Sequence, residues 1–383
     1  MFIYLAFFFA CLISFRIKPK YFKLYNVCLV VLLGIFLSTG YTNGSDWRAY
    51  ELWYDEVHSI SDVISFSKER GFALLFFLGN ELSLDFWHLW IMLKIFCFVL
   101  ICKAVVKYSK PNENYGLAIL FFYSYFALFY FIDNPMRNLI AASLFLFAYK
   151  PLMERKPYKY FLILFICSSF HNSAFFFAPL YFLLGKKTSN RKTVFIALAS
   201  LYIVMFIFWG TGLSAYVNDF LINLDADYRG QAYLQQSGAT ISAGFVAQTL
   251  IYIFCLYHSD SLKENCTHFS FVYNMSIVYF ITYILGFFVP ILARLSMFCF
   301  VPYIVMVSTI LYRARSFIVN SCVLLFLLLV VYKNITMDSR YIPYVSYLEY
   351  AFRDKPSYIY RSTYNPTFSP YAYKDIERRE RNE

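Results

Sequence analysis

Long apolar runs separated by short polar or charged segments recur along the whole chain. A helix needs about 20 apolar residues to cross a bilayer, and several of these runs reach that length. Runs bounded by charges or turn residues predict spans at 2–15, 25–41, 87–106, 115–132, 137–150, 160–170, 173–185, 193–209, 243–257, 269–289, 293–312 and 316–332. A further short run, 71–84, is open to interpretation as a re-entrant segment. The pattern predicts an all-α polytopic membrane protein with about 12 transmembrane helices.

Composition supports the membrane interpretation. Of 383 residues, 60% are hydrophobic and 15% are charged, whereas a soluble domain is nearer to half apolar and a quarter charged. The net charge of +11 would suggest nucleic acid in a soluble protein. A polytopic protein instead collects Lys and Arg in its cytoplasmic loops, so we expect no nucleic-acid partner. Residues 1–15 lack a basic start and a small-residue cleavage site, which predicts a retained first helix.

Residues 160–185 could form one helix or a hairpin of two short ones, and charge favours the hairpin. Four basic residues precede this stretch and four follow it: Lys150, Arg155, Lys156, Lys159, Lys186, Lys187, Arg191 and Lys192. Both clusters favour the cytoplasm, so the chain should cross outward and return, with residues 169–173 at the outer turn.

With that hairpin, most Lys and Arg lie on the inner side and both termini lie outside. We expect a transmembrane domain, 1–332, with polar outer loops 42–70 and 210–242. A polar, Tyr- and Pro-rich tail, 333–383, should pack in part against those loops. Every tryptophan then falls on the outer side, where an interfacial belt or sugar stacking would use it: Trp47, Trp53, Trp87, Trp90 and Trp209.

The first outer loop offers candidate sugar-binding residues. Asp46, Trp47 and Tyr50 come close together, and Glu69 follows before the next apolar run. A carboxylate suits sugar hydroxyls and a flat ring suits a sugar face. An amphipathic segment lying on the membrane, with its aromatic side chains as anchors, explains the same pattern.

Two arginines begin apolar runs. Arg137 has Asp133 four residues earlier, so a simple ion pair and an anion site for phosphate both fit. Arg294 has no acidic residue nearby in sequence. A charge so close to hydrocarbon is costly, which makes Arg294 a functional candidate.

Two further polar positions are candidates. His171 lies at the predicted outer turn, where it could be a hydrogen-bonded packing residue or a general base. The long outer loop carries Tyr228 and Arg229 and is long enough to cover a site.

Some motifs are absent from the sequence. It contains no Gly-rich phosphate loop, no His/Cys/Asp metal cluster and no Gly-x-Ser-x-Gly elbow, so we expect no cofactor and no metal. No cytoplasmic domain is large enough for a nucleotide sugar or ATP. Any substrate should therefore reach the outer face already activated.

Five short motifs in a fixed order resemble the EpsG/Wzy-type family of bacterial polysaccharide polymerases, which includes O-antigen polymerases. The resemblance covers about residues 40 to 345. It rests on Gly44-Ser45-Asp46-Trp47 with Tyr50, Glu69 with Gly71-Phe72, Met136-Arg137-Asn138 with Ala141-Ala142, Phe170-His171 with Ser173-Ala174, and Ala293-Arg294-Leu295-Ser296. Family members often carry Arg-Gln where this chain has Arg137-Asn138.

The resemblance implies a GT-C-like membrane glycosyltransferase of the bacterial inner membrane, working in lipopolysaccharide or exopolysaccharide synthesis. It implies that repeat units on undecaprenyl pyrophosphate are joined at the periplasmic face. A chain-length regulator and a flippase are then expected partners. We assign Arg137 and Arg294 to the pyrophosphate, Arg229 to a lid contact, and His171 or Asp46 to the base. Trp47, Tyr50, Glu69 and Tyr228 would contact sugars.

Two other functions share these features. A lipid-linked oligosaccharide flippase or other transporter would place charges at the membrane midplane and show discontinuous helices or repeats. A membrane acyltransferase would need a cytoplasmic acyl-donor site, whereas the candidate residues are predicted on the outer face. Accumulation of repeat units inside the cell would indicate a flippase, and single units transferred outside would indicate a polymerase.

Overall fold

The computed structural model describes residues 1–15, 19–44, 46–66, 69–109, 115–133, 135–185, 187–224, 242–266, 268–314, 316–337, 340–350 and 352–363. From the amino end the chain forms α1 (Phe2–Ser14), α2 (Pro19–Ser38), the strand β1 (Gly40–Tyr41), α3 (Trp47–Tyr54), α4 (Ile60–Ser65), α5 (Arg70–Glu81) and α6 (Phe86–Tyr108). Next come α7 (Tyr115–Phe121), a π-helix (Phe122–Asp133), α8 (Met136–Phe145), a 3₁₀ turn (Leu146–Ala148), α9 (Tyr149–Glu154) and α10 (Pro157–Phe170).

The second half is equally helical. It contains a 3₁₀ helix (Asn172–Phe177), α11 (Leu180–Leu183), α12 (Arg191–Gly210), α13 (Leu213–Leu224), α14 (Ala243–Tyr257), α15 (Asp260–Asn265) and α16 (Phe269–Phe288). There follow a 3₁₀ helix (Pro290–Phe298), α17 (Phe300–Ala314), α18 (Phe317–Met337), the strand β2 (Val345–Ser346), a 3₁₀ turn (Tyr347–Tyr350) and α19 (Tyr358–Thr363).

Five helices in the described chain are long and apolar enough to cross a membrane: Phe86–Tyr108, Tyr115–Asp133, Arg191–Gly210, Phe269–Phe288 and Phe317–Thr336. A sixth span results if Pro290–Phe298 and Phe300–Ala314, which meet at a bend of 70°, are counted together. Five further apolar helices are shorter. The prediction of an all-α, multi-pass membrane protein is confirmed, whereas the predicted number of 12 spans is not.

The chain reverses between α10 and α11. Tyr160 donates a hydrogen bond to the carbonyl of Phe177 at 2.6 Å, and the guanidinium of Arg155 donates to the carbonyls of Tyr181 and Leu184. The reversal occurs at His171, whose extended backbone (φ −158°, ψ 119°) ends α10. The two halves therefore lie side by side, as the charge pattern predicts for a hairpin.

The run at 71–84 forms α5, which packs against the polar loop at 42–70. The Asn80 amide donates to the carbonyls of Tyr54 and Val57 at 2.9 and 2.7 Å. These two bonds tie the end of α5 to the end of α3 and fix the approach of both helices.

Residues 340–363 cover the polar loop at 42–70. Strand β2 pairs antiparallel with β1, which places Gly40 opposite Ser346. Tyr358 donates to the carbonyl of Arg48 at 3.1 Å, and Lys355 pairs with Asp85 at 2.5 Å. Residues of the segment predicted as a tail thus contact the polar loop at 42–70, and α18 extends past residue 332 to Met337. Residues 364–383 lie outside the described chain.

Candidate active site

One carboxylate joins two of the predicted site residues. Glu69 Oε1 accepts a hydrogen bond from His171 Nδ1 at 2.9 Å, and Oε2 accepts one from Arg137 Nη1 at 2.5 Å. The side chains of Glu69, His171 and Arg137 are 6%, 9% and 14% exposed. Three ionisable groups so far from water are costly to bury separately, and they compensate one another by forming one network.

Local sequence explains how Glu69 reaches His171. Glu69 precedes α5, and Gly71 lies in the first turn of that helix. A Cβ atom on Gly71 would lie 2.8 Å from the backbone oxygen of Ser169, close to the end of α10. Because Gly71 has no side chain, α5 can begin in contact with the residues that precede His171.

The ionisation states of Glu69 and His171 follow from their surroundings. Burial raises the pKa of Glu69, but the His171 hydrogen bond and the Arg137 charge outweigh it and lower the pKa to about 2. Burial lowers the pKa of His171, the Glu69 carboxylate opposes this, and the positive charges of Arg294 and Arg137 lower it further. Glu69 is therefore ionised and His171 is neutral at neutral pH.

An ionised carboxylate only accepts hydrogen bonds, so Nδ1 of the neutral His171 ring carries the proton. The other ring nitrogen, Nε2, then holds a lone pair. Nε2 is buried and has no hydrogen-bond partner among the described residues. A carboxylate behind Nδ1 and a free acceptor at Nε2 form the arrangement that a general base requires.

Aromatic side chains hold Arg137 in place. Its Nε donates to the Tyr50 hydroxyl at 3.3 Å. The guanidinium carbon lies 5.9 Å from the ring centre of Tyr50 and 5.6 Å from that of Trp53. These contacts restrict the guanidinium at the first turn of α8, where a planar group of donors suits phosphate oxygens.

Arg294 lies in the 3₁₀ helix before the bend and is half-buried. Its charge acts on His171, so the two side chains are close. Asn138 donates to the Arg294 carbonyl at 3.1 Å and thereby ties α8 to this segment. On the other side, a Cβ atom on Gly286 would lie 2.7 Å from the Ala293 nitrogen, so a glycine is needed there for close packing.

The partner predicted for Arg137 is wrong. Asp133 pairs with Arg340 at 2.7 Å, and Glu69 takes its place beside Arg137. A spacing of four residues joins side chains only on a continuous helix. Asp133 ends the π-helix and Arg137 belongs to a new helix after Pro135, so the two residues do not share a face.

The other predicted site residues differ in where the structure places them. Tyr50 joins the site as the partner of Arg137. Asp46 begins α3, where its carbonyl accepts from the Tyr50 nitrogen at 3.3 Å. Trp47 is fully buried and its ring contacts those of Trp87 and Tyr358, so no face is open to a sugar. Tyr228 and Arg229 lie outside the described residues.

Sequence reasoning missed two roles. It assigned Glu69 to sugar binding, whereas the structure shows it orienting His171 and Arg137. It also left Asn138 without a function, whereas its amide fixes the Arg294 segment. The sequence feature that could have indicated the role of Glu69 is its position two residues before Gly71, at the start of an apolar helix. A glycine there allows a neighbouring helix to pack close to the carboxylate.

Among the described residues, no group of three or more His, Cys, Asp and Glu side chains could hold a metal ion. The two arginines instead provide positive charge next to a histidine that can accept a proton. The site can bind an anion and deprotonate a hydroxyl beside it.

The fold and the site together define a helical multi-pass membrane protein with a buried Glu–His–Arg network. Residues 23–350 match the EpsG family, and the chain belongs to that family. The family indicates a polysaccharide-polymerase type of function with glycosyltransferase-like chemistry. No curated protein and no solved structure matches the sequence significantly.

Proposed function

We propose that the chain is a surface-polysaccharide polymerase, of the O-antigen type, that joins oligosaccharide repeat units carried on undecaprenyl pyrophosphate. The reaction takes place at the periplasmic face of the bacterial inner membrane. The observation that carries the proposal is the neutral His171, backed by Glu69 and placed beside the two cations Arg137 and Arg294.

Arg137 and Arg294 bind the diphosphate of the growing chain. Negative charge increases on that group as its bond to the sugar breaks, and stabilising such charge is usually the largest catalytic contribution. Arg137 is already fixed by Glu69 and Tyr50, so little rearrangement is needed when the diphosphate binds. Asn138 holds the Arg294 backbone in the same way.

His171 acts as the base. A hydroxyl of the incoming unit donates its proton to Nε2 while its oxygen bonds to the anomeric carbon of the growing chain. The bond between that carbon and the diphosphate oxygen breaks, and undecaprenyl pyrophosphate leaves with the electron pair. Glu69 stabilises the imidazolium that forms, because its carboxylate is hydrogen-bonded to Nδ1. The free lone pair at Nε2 favours His171 over Asp46.

Lipid-linked substrates must approach from the bilayer, and the outer helices offer apolar surface to it. α12 and α18 expose most of their side chains, as expected for helices that face lipid. We propose that the shorter apolar helices also lie within the membrane and bring the number of spans to about 12.

The test is deletion of the gene in its host, with the extracted glycolipids separated on a gel. Loss of the polymerase should reduce the ladder to a core bearing one repeat unit. The wild-type gene should restore long chains, whereas His171→Ala, Arg294→Ala and Arg294→Lys should not. Lysine fails because it cannot bind a diphosphate with a planar pair of donors.

The control is His58→Ala, which removes an exposed histidine in the first outer loop and should restore a normal ladder. Tagged variants are followed in the membrane fraction to confirm insertion. A ladder of unchanged length in the deletion strain would end the polymerase assignment. Repeat units trapped inside the cell would identify a flippase instead.

A further inference from the structure

Lys94 carries a buried amine that the proposed mechanism does not use. It lies inside the membrane-spanning helix α6 with no exposed surface. Its Nζ has no hydrogen-bond partner among the described residues, and it lies 5.8 Å from the ring centre of Trp90. An amine at this depth destabilises a membrane protein unless an anion or a polar group compensates it.

Two aromatic side chains connect Lys94 to the candidate active site. Trp90 precedes it by one helical turn, and the Trp90 ring is 5.3 Å from the Tyr50 ring. The Tyr50 hydroxyl in turn accepts a hydrogen bond from Arg137. Helices α6 and α8, which carry Lys94 and Arg137, also pack directly against each other. Two aromatic rings therefore separate Lys94 from Arg137.

The neighbouring polar atoms are donors as well. The indole nitrogens of Trp87 and Trp90 are buried and lack an acceptor in the described part of the chain. They belong to the same buried face of α6 as Lys94. Buried donors without acceptors, next to a basic amine, favour an anion nearby. Charges interact strongly there, because the surroundings are apolar and water is excluded.

We propose that Lys94 is a counterion for the substrate diphosphate bound at Arg137, acting electrostatically through the Trp90 and Tyr50 rings. This inference rests on the proposed function, because it requires an anionic group at Arg137. The fold keeps an amine without a counterion in the free protein, and the bound diphosphate favours its charged form. A residue of this kind lowers stability but increases affinity for the ligand.

The experiment measures binding of farnesyl diphosphate to the full-length protein in nanodiscs, with farnesol as the probe that lacks the anion. Lys94→Met should bind farnesyl diphosphate about tenfold more weakly than wild type, which corresponds to about 1.4 kcal/mol. Its farnesol affinity should not change, and its thermal midpoint without ligand should equal or exceed that of wild type. Lys103→Met, an exposed position on the same helix, should behave as wild type.

Unchanged affinity of Lys94→Met for farnesyl diphosphate would overturn the inference. If that variant does not fold, Lys94→Gln, which is neutral and of similar length, replaces it with the same expected loss. Arg137→Ala separates the two proposals. Weak binding by Arg137→Ala with normal binding by the Lys94 variant rejects only the counterion role. Normal binding by both variants rejects the anion site itself.

Discussion

At Glu69, one carboxylate accepts hydrogen bonds from the proposed base His171 and from Arg137. We expect Glu69→Gln to reduce polymer formation by about 100-fold or more, because His171 loses the anion behind Nδ1 and Arg137 loses its counterion. Transfer of radiolabelled repeat units by isolated membranes measures the rate. Glu81→Gln, an exposed position at the other end of α5, is the matched control. A Glu69→Gln rate within twofold of that control would contradict the assignment.

The pH dependence of the reaction reports on His171. A base must be neutral to accept a proton, and the pKa of His171 is lowered from its ordinary value of 6.5 by burial and by the nearby arginines. Activity should therefore stay constant as the pH falls through 6.5 and decrease only at more acidic pH. Initial rates in isolated membranes between pH 5 and pH 8 check this, and a midpoint at or above 6.5 would contradict it.

Stability should respond to acid at two separate stages. Protonation of His171 is disfavoured in the folded state, so stability falls as the pH drops below about 6.5. Glu69 stabilises the fold above its ordinary pKa of 4.5, and this contribution is lost as the pH falls from 4.5 toward about 2. Thermal unfolding of wild type and Glu69→Gln in detergent should show a stability difference that shrinks as the pH falls below 4.5.

Some residues of the candidate site could be predicted from the sequence, whereas the contacts between them could not. Arg137, His171 and Arg294 could be found as polar positions next to apolar runs, because burying charge has a known cost. The contact between Glu69 and Arg137 could not be predicted, because it depends on how closely the helices pack, and Gly71 allows that close packing. The burial of Trp47 could not be predicted either, because Tyr358, which contacts its ring, lies more than 300 residues away in sequence.

At the level of helices, the contact between α5 and α10 controls the distance between Glu69 and His171. We expect Gly71→Ala to lower activity by about tenfold or more, because the added methyl group forces α5 away from Ser169. Gly185→Ala is the control, since a Cβ there lies 3.6 Å from its nearest neighbour. Transfer rates are compared at equal amounts of membrane-inserted protein. Equal rates for the two variants would show that the helix contact does not set the geometry.

The directions of the helices could be predicted from the sequence only in part. Charge on both sides of residues 160–185 was enough to predict the hairpin, because both basic clusters favour one side of a membrane. The span predicted at 293–312 proved to be a 3₁₀ helix and an α-helix joined at 70°. Hydropathy measures how apolar a segment is, but it does not report its direction. The bend that follows the Arg294 segment could therefore not be predicted from hydropathy.

Over the whole molecule, the segment at 340–363 and the polar loop at 42–70 form one unit. Arg361 donates two hydrogen bonds to the Glu51 carboxylate, at 2.6 and 2.8 Å, and both side chains are buried. We expect Arg361→Ala to lower the free energy of unfolding by about 3–5 kcal/mol, because it leaves the Glu51 charge buried without its partner. Thermal and denaturant unfolding in detergent measure the loss. Arg353→Ala, at an exposed position, should change little.

The two strands β1 and β2 are synthesised at very different times, so they can pair only late in synthesis. Residues 40–41 leave the ribosome early, yet their partners at 345–346 emerge only after α18 is complete. Until then Trp47 and Glu51 lack the side chains of Tyr358 and Arg361 that cover them. A chain that ended before residue 340 would contain α1 to α18 but would lack the segment that covers its first polar loop. Residues 340–363 therefore complete the packing of that loop only after α18 has been synthesised.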